Sequence, residues 1–433
     1  MGAKLKAFAK VAKAQYGSGV VGRGDTTPSD DRRLPSGSLR LDYALGGGYR
    51  VGWITSLYGD KSGGKTTTAL HAMAESQDRC RNCYRPAKDV AAVSPSAAEL
   101  EEDPDARWAA KGACTCYAEG LYKPEVPEFR DDKGGKVAAN SKKYKEALNT
   151  WDEAMKENSY DEFICAWIDT ENAFDKKWAE KIGVDTRRLF YVRPESAEEG
   201  IDIMHALVLT AEVDMMVLDS IAQLVPNKEL EKSTEEWQQG LQARLVNKFA
   251  RKLVSGSSVV AGSNRAITQI WINQVREKIT MFGDPTVKPA GKGQEFAVHA
   301  EIRFKKSKQV IEDEQWGARD KGEVTQIPTT ETFSFLVTKN RTAGTRGVES
   351  TYSQRMNDNA AGPAGQIIED AEIFKMAMHY LVDQKKAGSA TVYVLAGQEY
   401  TSQKKMAEDL RDDVELLSAV RKALLERMLK GAA

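Results

Sequence analysis

The segment Gly59-Asp60-Lys61-Ser62-Gly63-Gly64-Lys65-Thr66 constrains the fold of this chain more than any other stretch. It fits the pattern G-x-x-x-x-G-K-[ST], which works only between a strand and a helix. The residues before it, Trp53 to Tyr58, read as a short apolar strand. Those after it, Thr67 to Gln77, read as a helix with Leu70 and Met73 on one face. In that setting the glycines let backbone N–H groups turn inward, and the helix start adds positive partial charge. The cradle from Gly59 to Thr67 is therefore built for nucleotide phosphates. Lys65 has the reach for the β- and γ-phosphates, and the Thr66 hydroxyl suits Mg²⁺.

A chain of 433 residues has room for two or three domains and a large core. Its 41% hydrophobic and 29% charged content is that of a globular protein in water. With a net charge of −1, any nucleic acid would have to be held by a local basic patch. No apolar run approaches the roughly 20 residues of a membrane span. The stretch Met1 to Tyr16 lacks the apolar core of a secretory signal, and Lys6 stands where a myristoylation site needs Ser or Thr. The expected setting is the cytosol, with no membrane partner. Five cysteines in a chain this long do not suggest a disulfide framework.

Along the chain, residues 3–16 read as a short amphipathic helix, followed by a loop to about Pro35 in which Val20-Val21 could form an isolated strand. From Leu39 the pattern is α/β. Strand candidates are Trp53–Tyr58, Phe163–Ile168, Leu189–Val192, Met215–Leu218, Val259–Ala261 or Thr268–Ile272, Glu301–Phe304 and Thr332–Val337. Helical patterns at Thr66–Gln77, Ala173–Ile182, Ala197–Thr210 and Trp237–Val254 alternate with them. Such alternation implies a mostly parallel sheet covered on both faces. Residues 305–330 read as a hairpin or surface loop. The expected organisation is an N-terminal oligomerisation arm over 1–36, a core over 37–78 and 163–362, an inserted module over 79–162, and a small C-terminal domain over 363–433. In the last, helices at Asp370–Val382, Ser402–Arg411 and Asp412–Leu429 surround a strand at Thr391–Leu395.

Nucleotide hydrolysis also needs an acid at a strand end to hold the metal's waters. Met215-Met216-Val217-Leu218-Asp219 has that form. Glu171, just past the strand ending Ile168-Asp169, should emerge at the carboxyl edge of the sheet, where doubly wound folds bind ligands. It is the better-placed group to orient water, with Asp169 as its rival. Asp175 and Trp178, at i, i+3 spacing, share a helix face suited to holding an adenine by hydrogen bond and stacking.

The order of these motifs resembles the RecA recombinases. The resemblance runs through Leu39–Gly48, the phosphate loop, Ile168–Asp175, Leu218–Ala222, Ile272–Arg276, Met281–Pro285 and Lys339-Asn340-Arg341. It covers roughly residues 5–78 and 163–430 and implies a RecA-like ATPase core. It implies that Glu171 orients the attacking water, that Asp175 and Trp178 contact adenine, and that Gln274 senses the γ-phosphate. Lys339 and Arg341 would reach a neighbouring subunit's ATP. The family has lysine at both positions, and usually tyrosine where this chain has Trp178. Two loops would bind DNA, through Arg244, Asn247 and Arg251 on one and Arg276, Lys278, Met281 and Phe282 on the other. Basic residues hold phosphates, and an apolar tip can wedge between bases. The C-terminal unit would be a DNA-binding type of domain.

The insertion falls outside the resemblance. Cys80-x-x-Cys83 and Cys114-x-Cys116 suit a closed, structural Cys₄ zinc site. Cys165, within an apolar strand, reads as core, and the four scattered histidines read as packing or surface residues. The expectation is a DNA-dependent ATPase with ATP, Mg²⁺ and Zn²⁺, which forms filaments on single-stranded DNA, pairs it with double-stranded DNA and exchanges strands. A protein partner could bind through the insertion. The alternatives are a ring helicase or accessory ATPase of the same fold, and a nucleotide-regulated protein-binding scaffold.

Overall fold

The computed structural model describes residues 32–82, 141–157, 161–230, 241–259, 266–277, 286–289, 293–315, 324–341, 346–358, 362–387 and 390–431, with the short stretches 88–89, 112–114, 118–119, 129–130 and 136–138. The expected N-terminal helix and the Val20-Val21 strand lie outside these residues.

In chain order the elements are β1 (Arg33–Leu34), α1 (Leu39–Leu45), β2 (Tyr49–Arg50), β3 (Ile54–Gly59), α2 (Lys65–Gln77), β4 (Lys88–Asp89), β5 (Gly112–Ala113), α3 (Lys142–Glu157) and β6 (Cys165–Asp169). Then come α4 (Lys176–Ile182), β7 (Leu189–Val192), α5 (Ala197–Thr210), β8 (Met215–Asp219), α6 (Asn227–Leu230), α7 (Leu241–Val259), β9 (Thr268–Gln274), β10 (Arg276–Glu277) and β11 (Thr286–Val287). The remainder is α8 (Gly293–Ala297), β12 (Ala300–Gln315), β13 (Val324–Asn340), β14 (Glu349–Arg355), β15 (Ile367–Ile368), α9 (Asp370–Tyr380), β16 (Asp383–Ala387), β17 (Ala390–Leu395), β18 (Gln398–Tyr400), α10 (Gln403–Asp412) and α11 (Val414–Gly431).

One nine-stranded sheet organises the core, in the order β15-β14-β13-β12-β3-β9-β8-β6-β7. The six strands from β12 to β7 are mutually parallel, and β13, β14 and β15 continue antiparallel. Strands β3, β6 and β8 are buried along their whole length, which is why β6 and β8 read as apolar runs closed by an acid rather than as alternating strands. Two cores result. On one face Leu57, Leu70, Met73, Trp167 and Val217 pack beneath α2. On the other Ile168, Met204, Leu218, Phe249 and Trp271 pack beneath α5 and α7.

Several boundaries differ from the sequence reading. The helix expected from Ala173 starts at Lys176, because the Asp175 side chain accepts the Trp178 N–H and caps it. Val259 ends α7, so the strand there is Thr268–Gln274. In the 305–330 segment the described residues pair antiparallel, continuing β12 and β13 beyond the sheet. Strand β15 pairs with β14, so the core sheet reaches past residue 362, and the C-terminal unit begins near Asp370. That unit is a three-stranded sheet with α9, α10 and α11 around a core of Ile373, Ala377, Met406, Leu410, Val420 and Leu424, which Leu39 of α1 joins. The start of the expected insertion also belongs to the core. The buried Arg81 donates to Asp214 at 2.9 Å and to the carbonyls of Ala211 and Glu212, and its N–H bonds Asp161 O.

Candidate nucleotide site at the carboxyl edge of the sheet

Sheet register places the functional side chains. Gly59 pairs with Gln274, and Asp169 with Asp219, so β3, β9, β8 and β6 end side by side at one edge. The phosphate loop leaves β3 there and opens directly into α2. Two of its glycines are sterically required. A Cβ on Gly59 (φ +140°) would lie 1.9 Å from Phe304 O, and one on Gly64 (φ +88°) 2.2 Å from the Phe333 ring. The outer side of the loop is tied to β12. Asp60 N donates to Phe304 O, Lys306 N to Asp60 Oδ2 at 3.1 Å, and the Ser307 hydroxyl to Ser62 O at 2.9 Å.

Lys65 is buried, which lowers the pKa of its ammonium against the pull of Asp219, Glu171 and Asp60. Its Nζ donates to Asp60 O at 2.6 Å and Gly59 O at 3.3 Å, curling over the loop. Thr66 donates to Asp219 Oδ2 at 2.9 Å. Burial, reinforced by the nearby Glu171 charge, pushes the Asp219 carboxyl up to about 7. A hydroxyl and a carboxylate so placed form a donor set for a hard divalent cation. Lys61 and Ser62 are exposed, whereas Gly63 is buried and Gly64 and Thr67 are half-buried.

Glu171 lies just past β6. Its Oε1 accepts the Ser220 hydroxyl at 2.5 Å and Gln274 Nε2 at 2.7 Å, so three strand ends converge on one oxygen. Ser220 is absent from the sequence expectation. Its hydroxyl directly after the strand-end acid was the available signal. Asp175 is exposed and spends one oxygen on capping α4, while Trp178 is half-buried against the α2 core.

Other expected site residues lie elsewhere. Lys339 and Arg341 sit at the opposite edge, where β12 begins and Ala300 pairs with Asn340 and Thr55. Lys339 Nζ donates to Val298 O at 2.7 Å and to Glu295 O, capping α8; Arg341 is exposed. On α7, Arg244 and Arg251 are exposed as expected, but Asn247 turns inward, its Oδ1 buried against Gly293. Arg276 is exposed on β10, immediately after the strand ending in Gln274. Lys288, twelve residues after Arg276, faces inward. It pairs with Glu301 at 2.8 Å and Glu295 at 3.1 Å and lies 4.4 Å over the Tyr58 ring. Lys278, Met281 and Phe282 lie outside the described residues, as do Cys83 and Cys116. Cys80 and Cys114 are described, and both are buried. Among the described residues no group of three or more His, Cys, Asp or Glu is placed to hold a metal ion, and no helix is long and apolar enough to cross a membrane.

Comparison with known proteins agrees with this arrangement. A family model described as the RecA N-terminal domain matches residues 3–95 and 139–334, and the gap falls inside the expected insertion. Protein RecA of Lactobacillus delbrueckii subsp. bulgaricus is 31% identical over 311 residues, which is 71% of this chain and 68% of that protein. Protein RecA of Enterococcus gallinarum is 31% identical over 311 residues, 71% of this chain and 64% of its own length. For Protein RecA of Acholeplasma laidlawii the figures are 31% over 304 residues, 69% and 66%. The chain thus spans about two thirds of the length of these relatives. Because the family match takes in every strand that ends at the site, the chain belongs to the RecA family.

Proposed function

We propose that this chain is a DNA-dependent ATPase that forms filaments on single-stranded DNA and catalyses homologous pairing and strand exchange. One observation carries the reading: Gln274 bonds Glu171 at the phosphate edge, and the chain then runs directly into β10 and the segment expected to bind DNA. The residues fit an ATP·Mg²⁺ complex. The loop from Gly59 to Thr66 leaves no room for side chains at its close approaches, and a buried lysine has only carbonyl oxygens to surrender. Lys65 would hold phosphate oxygens, Thr66 and Asp219 would hold the metal, and Trp178 with the free side of Asp175 would hold adenine. The bound metal supplies charge neutralisation across the phosphates. Glu171 would orient the attacking water through Oε2, which accepts no hydrogen bond among the described residues. A γ-phosphate drawing Gln274 away from Glu171 would shift the segment that follows. Lys339 and Arg341, at the far edge of the sheet, would serve the ATP of the next subunit. ATP turnover with and without single-stranded DNA, alongside electron microscopy, tests the reading. Stimulated turnover with helical filaments is expected. Rings would support the helicase alternative, and unstimulated turnover would support the scaffold.

The insertion would hold a structural zinc through Cys80, Cys83, Cys114 and Cys116. Support comes from β4 and β5. They pair antiparallel, Lys88 with Ala113 and Asp89 with Gly112, and Cys114 follows β5 directly. Metal analysis should find about one zinc per chain. Cys80→Ser should lose it while ATP turnover survives. A metal-free protein with all four thiols reactive would overturn the assignment.

A further inference from the structure

The carboxylate expected to rival Glu171 is fully occupied by hydrogen-bond donors. Asp169 is buried at the end of β6. Its Oδ1 accepts Glu171 N at 3.1 Å and Ala173 N at 3.3 Å. Its Oδ2 accepts Phe174 N at 3.1 Å and the Tyr191 hydroxyl at 2.9 Å. An ionised carboxylate offers about four acceptor positions, so Asp169 has none left for water. Three of the four donors belong to the turn that carries Glu171, and Asn172 within that turn adopts a left-handed φ of 55°. The fourth comes from another strand. Tyr191 lies on β7, the outermost strand of the sheet, with its ring half-exposed, 5.3 Å from Phe174.

We propose that Asp169 and Tyr191 are positioning residues: Asp169 clamps the 170–174 turn, and the Tyr191 hydroxyl orients that clamp, so that Glu171 presents Oε2 to the reacting water. The inference rests on the reading of Glu171 given above. The clamp fixes the turn from its backbone side, while Ser220 and Gln274 fix the carboxylate from its far end. Without the tyrosine, Asp169 can rotate about its side-chain torsions and loosen its three backbone bonds together. Glu171 would then be bonded but misaimed, and misaim costs turnover rather than nucleotide affinity.

Tyr191→Phe keeps the ring and removes only the hydroxyl. Losing one hydrogen bond to a charged acceptor should lower kcat for DNA-stimulated ATP hydrolysis by roughly three- to tenfold. KM for ATP and the melting temperature should stay near wild type. Asp169→Asn should act in the same direction and more strongly, since an amide group cannot accept from both pairs of donors. The discriminating measurement is Tyr191→Phe in a Glu171→Gln background. A residue that acts through Glu171 adds no further loss there, whereas a merely structural residue subtracts the same factor again. If Glu171→Gln is slowed to a small, still measurable single-turnover rate and the two losses multiply, or if Tyr191→Phe alone turns over like wild type, the inference fails and the reading of Glu171 stands. If Glu171→Gln itself turns over normally, that underlying reading fails.

Discussion

Lys65 shows how a single side chain can be stored ready for a ligand. Its ammonium is buried with two backbone carbonyls rather than with a carboxylate. The two carbonyls bond only two of its three N–H donors and carry no full charge, so a phosphate oxygen is a better partner than either. Lys65→Ala should therefore weaken ATP binding by roughly tenfold to a hundredfold, the worth of a charge-assisted bond. The fold should be kept, since burying the ammonium is itself unfavourable and depresses its pKa. Direct titration with a fluorescent ATP analogue, alongside a thermal melt, checks both parts. Unchanged affinity would remove Lys65 from the site. At this scale Lys288 carries the opposite lesson. In the sequence it is one more cation in a basic segment, but two carboxylates and an aromatic face claim it in the fold.

Between elements, the joint of the C-terminal unit with the core is a buried charge cluster. Arg421 of α11 bonds Asp42 of α1 at 3.0 Å and Glu369 at 3.1 Å, and Glu369 also accepts the N–H of Leu39 at the start of α1. Burial outweighs these partners and pushes the Glu369 carboxyl up to about 7 from its ordinary 4.5. Between those values the folded chain holds a proton that the unfolded chain has released. Stability from this group is therefore greatest below the window, falls as pH rises through it, and levels off above about 7. Glu369→Gln should remove that component. The wild-type stability minus that of the variant should decline from pH 5 to pH 7.5, by on the order of 1–3 kcal/mol. Denaturant melts of both proteins across the range measure it, and parallel curves would show that Glu369 does not titrate there.

At the scale of the whole molecule, the proposed site draws on both edges of the sheet. The phosphate loop, Asp219, Glu171 and Gln274 lie at the carboxyl edge, and Lys339 with Arg341 at the other. If these two cations serve an ATP site as proposed, a head-to-tail neighbour would have to supply them, and such heterologous contacts propagate as rings or helices. Mixing two impaired variants tests this. Lys339→Ala keeps Glu171, and Glu171→Gln keeps Lys339, so where the two meet in the right order the site is complete. Equal mixing should restore about a quarter of wild-type ATP turnover, the random frequency of that order in a head-to-tail array. No recovery on mixing would mean that each chain completes its site alone.

What is contiguous along the chain is legible in the residues alone. The phosphate loop, the apolar strands ending in Asp169 and Asp219, and the helices after them are each set within a dozen residues. Strand burial, turn chemistry and charge placement act locally there, and the structure reproduces these elements to within a few positions. Which distant groups meet depends on the fold. Ser220 and Gln274 share one oxygen of Glu171, Tyr191 completes the shell of Asp169, and Arg81 is spent on Asp214. Asn247 and Lys288 turn inward for the same reason. A side chain's local pattern records its own element's face and period. Its hydrogen-bond partner is set by sheet order and register, which join residues more than a hundred positions apart.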